Sequence, residues 1–107
     1  MSKYEVIVEA AAEEDLYNIF DYISNSLFET ETAKNLIEAI SGAFESLEQF
    51  PLRTPIILME RYKDINLRRL IVKNYSVIYF ADEKKHRVHI ISVINSRRDI
   101  EYLFDEL

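Results

Sequence analysis

The chain has 107 residues, 49% apolar and 30% charged, with one glycine, two prolines and no cysteine. That suits one globular, soluble domain spanning 1–107 and excludes disulfides, thiolate metal sites, flexible linkers and low-complexity tails. The net charge of −6 hides a split: residues 1–66 hold 5 Lys/Arg against 13 Asp/Glu, residues 67–98 hold 8 against 2, and residues 99–107 hold acids only.

The first residues, MSKYEVIVEAAAEEDLY, contain no long apolar run, so no signal peptide is read. No segment approaches the roughly 20 apolar residues of a membrane span. A cytoplasmic protein without membrane contact is expected. YEVIVEA alternates, with Tyr4, Val6 and Val8 on one face, which predicts a strand. Leu16, Ile19, Phe20, Ile23 and Leu27 then recur at helical spacing, with Glu13, Glu14 and Asp15 in the first turn, where the helix dipole favours negative charge. The polar SNSLFETET reads as a turn, with Thr30 or Thr32 as N-cap. A second helix carries Ala33, Leu36, Ile37, Ile40, Ala43, Phe44 and Leu47 inward and stops near Gln49, because Pro51 disfavours helix at Phe50.

PLRTPIILMERYKDI reads as a loop with a short extended piece at Ile56–Met59. Three strands follow, at Leu67–Val72, Tyr75–Ala81 and Arg87–Ile94. Tight turns at Lys73–Asn74 and Asp82–Lys85 join them, asparagine being tolerant of positive φ. The last strand is apolar on both faces, with Val88, Ile90 and Ile94 on one and Ile91 and Val93 on the other. That places it inside the sheet. RRDIEYLFDEL ends the chain as a short helix or an extended tail. The order β-α-α-β-β-β is an α+β layout. The helical hairpin should cover one sheet face, leaving the other partly open for a site or a partner.

No glycine-rich phosphate loop, nucleophile elbow or metal-spaced cluster occurs, and His86 and His89 sit at an odd separation that puts them on opposite faces of a strand. Neither a metal nor a cofactor is expected. The charge split hints at two kinds of partner surface. Arg68, Arg69, Lys73, Arg87, Arg97 and Arg98 fall on strands, strand ends or turns. They form either a cationic surface for phosphate or an acidic protein segment, or simply the charged ends and edges of a sheet. Tyr75, Tyr79 and Tyr102 are stacking or acid/base groups, or packing residues with wet hydroxyls. His89 is a general base or a bystander.

DLYNIFDYI, FPLRTP, LRRLIVKNYSVIYF and VHIISVINSRRD occur in the order and spacing of the RelE/ParE superfamily, and the chain resembles it from Tyr4 to about Leu103. The resemblance implies the toxin half of a bacterial type II toxin–antitoxin module, folded as a helical hairpin on a small, mostly antiparallel sheet. It implies growth inhibition and neutralisation by a cognate antitoxin in a hetero-oligomer. Two mechanisms are implied: ParE-like poisoning of DNA gyrase by binding, or RelE-like cleavage of mRNA on the ribosome by a metal-independent endoribonuclease. For a nuclease the matching residues are Arg97 or Arg98 and Tyr102, with Arg69 or His89 in support. As contacts for target or antitoxin they are Arg68, Arg69, Lys73, Tyr75, Arg97 and Arg98. No sequence-specific DNA binding by this chain is implied. In YSVIY, Ser76 stands where the nuclease pattern has a phosphate-binding arginine, and Arg61 and Lys63 match its lysines poorly. Serine cannot supply that charge-assisted contact. The reading therefore favours ParE-like gyrase inhibition; an endoribonuclease and a non-toxic binding module of the same fold are the alternatives.

Overall fold

The computed structural model describes residues 3–58 and 64–97. The described elements are β1 (Glu5–Val8), α1 (Ala10–Asp21), a π-helical turn (Tyr22–Ser26), α2 (Thr30–Ser46), a 3₁₀ turn (Pro51–Arg53), β2 (Arg68–Val72), β3 (Tyr75–Asp82) and β4 (Arg87–Asn95). The strands form one sheet in the order β1-β4-β3-β2. β1 runs parallel to β4, while β2–β3 and β3–β4 are antiparallel. The two helices pack on this mixed sheet as an α+β fold, and β4 lies inside the sheet as its two apolar faces require.

The helices cover one face. Ala12, Leu36, Ile40, Leu47, Val77, Tyr79, Val88 and Ile90 are among the residues closed off from water there, with Tyr4, Val6, Val8, Leu16 and Ile19 packed around them. Each fully buried Leu, Ile or Val in such a layer contributes about 1.5–3 kcal/mol. The opposite face carries a smaller cluster of Leu67, Ile78 and Ile94, flanked by Ile57, Phe80 and Ile91.

Several expectations shift in detail. The apolar stripe of the first helix is narrower than its spacing suggests: Phe20 and Leu27 remain 36% and 45% exposed. Leu27 leaves the stripe because the helix widens after Asp21, with Leu27 N–H bonding to Tyr22 C=O, five residues back. With no glycine available, the turn closes on Phe28 at φ 55. α2 starts one residue after Glu29, and neither Thr30 nor Thr32 caps it by its side chain. It ends at Ser46, and Arg53 folds back so that Nη1 donates to the carbonyls of Ser46, Gln49 and Phe50 at 2.9–3.2 Å. A guanidinium there satisfies carbonyls that the helix end leaves without partners and complements its dipole.

Ile56 bridges to Arg68, and Ile57 N–H donates to Leu67 C=O, so the extended piece exists as a single bridge. Met59 lies outside the described residues. In the hairpin turns positive φ falls on Lys73 and His86, not on Asn74. The faces of β4 also change. Ile78 pairs with Ser92 and Tyr79 with Ile90, so Ile91 is an extra, bulged residue. A bulge reverses the alternation beyond it. Val93 therefore joins Val88 and Ile90 under the helices, while Ile94 joins Ile91 on the other face.

Candidate functional site

Of the expected site residues, Arg69, Lys73 and Arg97 fall on the second sheet face or at its basic end, whereas Arg68 and Tyr75 belong to the helix side. Register separates the arginine pair. Arg68 is opposite Tyr79 and Arg69 opposite Ile78, so they face opposite sides of the sheet. Arg68 is engaged internally: its Nη1 donates to the carbonyls of Leu52 and Thr54, tying the 51–54 turn to β2. Arg69 lies on the face away from the helices, half-buried beside Ile78.

Lys73 is exposed in the β2–β3 turn. The end of β4 meets that turn, Ser96 N–H donating to Asn74 C=O at 2.7 Å, which brings Arg97 to the same end of the sheet. Arg97 is exposed, and its backbone N–H donates to Asn95 Oδ1 at 2.9 Å. Arg69 lies on β2, and Lys73 lies in the turn just beyond its end. Lys73 and Arg97 thus share one end of the sheet, with Arg69 further back on β2. Tyr75 packs half-buried against the helix-side core. Arg98, Tyr102, Arg61 and Lys63 lie outside the described residues.

Ser76 has no exposed surface. Its Oγ is 2.8 Å from Ser96 Oγ, so the hydroxyl is satisfied within the sheet. Tyr79 is also closed off. Its hydroxyl donates to Pro51 C=O at 2.6 Å and meets Thr54 Oγ1 at 2.6 Å. Burial raises the Tyr79 phenol above its ordinary value, while the Thr54 hydrogen bond and the charges of Arg68 and Arg53 pull it partly back. That phenol is a structural brace and not an acid or base in contact with solvent.

His89 lies across from Phe80 and stacks on it, with ring centroids 4.9 Å apart. Its Nδ1 is 2.8 Å from Glu9 Oε1. A carboxylate that holds one imidazole nitrogen fixes the ring and leaves chemistry to the other, Nε2. His86 lies elsewhere, stacked on Tyr4 at 4.4 Å. Among the described residues no three His, Cys, Asp or Glu side chains are grouped as metal ligands. None of the described helices is long and apolar enough to cross a membrane.

Sequence reasoning missed three engagements. Asp15, expected only to suit the helix dipole, reaches β4 beyond the end of β1, where Oδ2 accepts the Val93 N–H and the Ser92 hydroxyl, each at 2.9 Å. Glu9 finds His89 across 80 positions. Arg53 caps α2. The first two had no local sequence signal, because they depend on how α1 and its N-terminal end sit on the sheet, whereas Arg53 caps carbonyls only three to seven residues back.

The family described as "ParE toxin of type II toxin-antitoxin system, parDE" matches the chain over residues 6–100. No curated protein matches it. Among solved structures, a chain of the chromosomal ParDE system from P. aeruginosa superposes with TM-score 0.70 at 17% identity, covering 87% of this chain and 96% of that one. A chain of the archaeal RelE–RelB complex from Pyrococcus horikoshii OT3 gives TM-score 0.64 at 19% identity, over 91% and 99%. A mutant of E. coli toxin RelE in the free state gives 0.65 at 12% identity, over 94% and 92%. At these identities the structural likeness establishes the shared fold.

Proposed function

The chain belongs to the ParE toxin family of type II toxin–antitoxin systems, and from that premise we propose that it acts by binding DNA gyrase and that a cognate antitoxin holds it inactive. The observation that carries this reading is Ser76. At the position where an RNA-cleaving relative would project a phosphate-binding arginine, this chain has a small side chain with no exposed surface, bonded to Ser96. Phosphodiester cleavage needs cations converging on the phosphate as its charge builds. Arg68 is committed to loop carbonyls, which leaves Arg69 on β2 and Lys73 and Arg97 at the sheet end. Such a surface suits an extended acidic segment of a protein better than a single phosphate. Arg69, Lys73 and Arg97, with Arg98, are proposed as contacts for antitoxin or target. The solved relatives include toxin–antitoxin complexes, which supports a protein antitoxin here.

One observation favours a second reading. The Glu9–His89 pair is a carboxylate-oriented imidazole on the sheet face away from the helices, with His89 about one-fifth exposed. In a ribosome-dependent endoribonuclease, Nε2 would take the 2′-hydroxyl proton. Arg97 or Arg98 and Tyr102 would complete that site.

Expression without antitoxin, followed by uptake of labelled precursors, separates these readings. Gyrase inhibition predicts early loss of DNA synthesis with an SOS response, and purified toxin that blocks supercoiling. Early loss of protein synthesis, with new mRNA 5′ ends inside codons, would overturn it in favour of the nuclease. Normal growth would leave a non-toxic binding module.

A further inference from the structure

β1 stops before β4 does, and a carboxylate meets β4 beyond that point. β1 pairs with β4 only from Glu5–Arg87 to Val8–Ile90, and Glu9 N–H adds one more bond, to Ile90 C=O. β4 continues to Asn95. There Asp15 Oδ2 accepts the Val93 N–H and the Ser92 hydroxyl, each at 2.9 Å. Asp15 is half-buried on α1. Successive backbone N–H groups of a strand point to alternate edges. Ile90 points to β1, so in an unbroken strand Ser92 N–H would point that way and Val93 N–H to β3. The extra residue, Ile91, reverses this. Val93 N–H reaches Asp15 only in the bulged strand.

The bulge decides where every later residue lies, because a slip by one residue moves each side chain to the other face. With it, Val93 packs under the helices and Ile94 joins Ile78 on the other face. Ser96 Oγ lies 2.8 Å from Ser76 Oγ, and Ser96 N–H donates to Asn74 C=O at 2.7 Å. Those contacts hold Arg97 at the sheet end that carries Lys73. Without the bulge, Ser96 leaves both partners and Arg97 moves with it. Packing discriminates weakly between the two registers, because Val93 and Ile94, which trade faces, are both apolar and β-branched. A carboxylate that accepts from the bulged form discriminates strongly, since its bonds are charge-assisted.

We propose that Asp15 is a positioning residue for Arg97: its carboxylate selects the bulged register of β4 and so sets Arg97 beside the Lys73 turn. The register role is independent of the proposed function. Its consequence for toxicity rests on that reading, in which Arg97 is a contact residue.

The test is amide hydrogen exchange, read residue by residue by NMR on the isotope-labelled full chain. The reporter is Ser96 N–H, whose own acceptor, Asn74 C=O, the substitutions leave in place. In Asp15→Ala it should exchange about tenfold faster than in wild type, as expected when a charge-assisted bond no longer favours one register. The Ile40 amide, in the buried part of α2, should change far less, which separates a local register change from general destabilisation. Asp15→Asn keeps a side-chain oxygen that can accept both bonds and should exchange as wild type does. Ser92→Ala removes one of the two donors and should fall between. If Asp15→Ala does not fold, Ser92→Ala decides by the same comparison of Ser96 with Ile40. Wild-type exchange at Ser96, or equal acceleration at Ser96 and Ile40, would overturn the proposal. Growth on expression without antitoxin supplies the functional arm. Asp15→Ala should lose toxicity to the level of Arg97→Ala, and Asp15→Asn should keep it. Full toxicity in Arg97→Ala, or none in wild type, would overturn the contact role of Arg97, while the exchange result still decides the role of Asp15.

Discussion

Ser76 and Ser96 face each other on β3 and the end of β4, their hydroxyl oxygens 2.8 Å apart, and Ser76 is wholly enclosed. The position on which the proposed function rests is therefore closed by packing as well as by residue type. Ser76→Arg would force a guanidinium into space that holds a hydroxymethyl group, combining overpacking with an uncompensated buried charge. A loss of about 3 kcal/mol or more is expected. Chemical denaturation should show it, and the variant should gain no mRNA cleavage. Wild-type stability in Ser76→Arg would show that the site can open, and would remove the main argument against a nuclease.

Tyr79 links β3 to the 51–54 turn through Thr54 and Pro51. Tyr79→Phe leaves those two groups without their buried partner and should cost about 1–3 kcal/mol. The pH dependence follows from the raised phenol. The folded chain favours the protonated form, so this stability is complete below the unfolded phenol's value near 10. It is lost as pH rises from there through the higher folded value, because the unfolded chain releases its proton first. Denaturant unfolding at about pH 8 and about pH 11 should show a loss in wild type that is smaller in Tyr79→Phe. An equal loss in both proteins would show that Tyr79 does not carry it.

Layout was legible from period alone: alternation in YEVIVEA and the 3.6-residue spacing of Leu36, Ile40, Phe44 and Leu47 became β1 and the buried face of α2. Face assignment in β4 was not. Strand parity puts Ile94 with Ile90, but the bulge at Ile91 breaks it, and nothing in VHIISVIN marks which residue bulges. The cations divide in the same way. That Arg68 and Arg69 must face opposite sides follows from strand geometry. Which of them is committed internally depends on carbonyls of Leu52 and Thr54, 14 to 16 residues away. Asp15 and Glu9 were visible as acids, while their partners on β4 are set by how α1 lies on the sheet.

Gly42, the only glycine, sits within α2 with helical backbone and with nothing within 4 Å of the position a Cβ would take. Alanine there adds no clash and reduces the freedom of the unfolded chain. Gly42→Ala should therefore stabilise the protein by about 0.4–1 kcal/mol. A rise of a few degrees in melting temperature is the expected readout. A fall would mean that the helix surface at Gly42 is not open.

Adjacent Arg68 and Arg69 should behave as residues of different kinds. Arg68 holds two carbonyls of the 51–54 turn, beside the Tyr79 brace. Arg68→Ala should lower stability by about 1–3 kcal/mol, because charge-assisted bonds are lost and the carbonyls are left to find water. Arg69, on the opposite face, has no such duty to the 51–54 turn. Arg69→Glu should lower the unfolding free energy by less than Arg68→Ala does, because Arg69 is only partly buried and makes no bond to that turn. It should nevertheless weaken antitoxin binding, or growth inhibition on expression without antitoxin, through repulsion of an acidic partner. Unfolding curves together with a growth assay distinguish the two effects. Full toxicity and full antitoxin binding in Arg69→Glu would take Arg69 out of the proposed contact surface and leave Lys73, Arg97 and Arg98 to carry it.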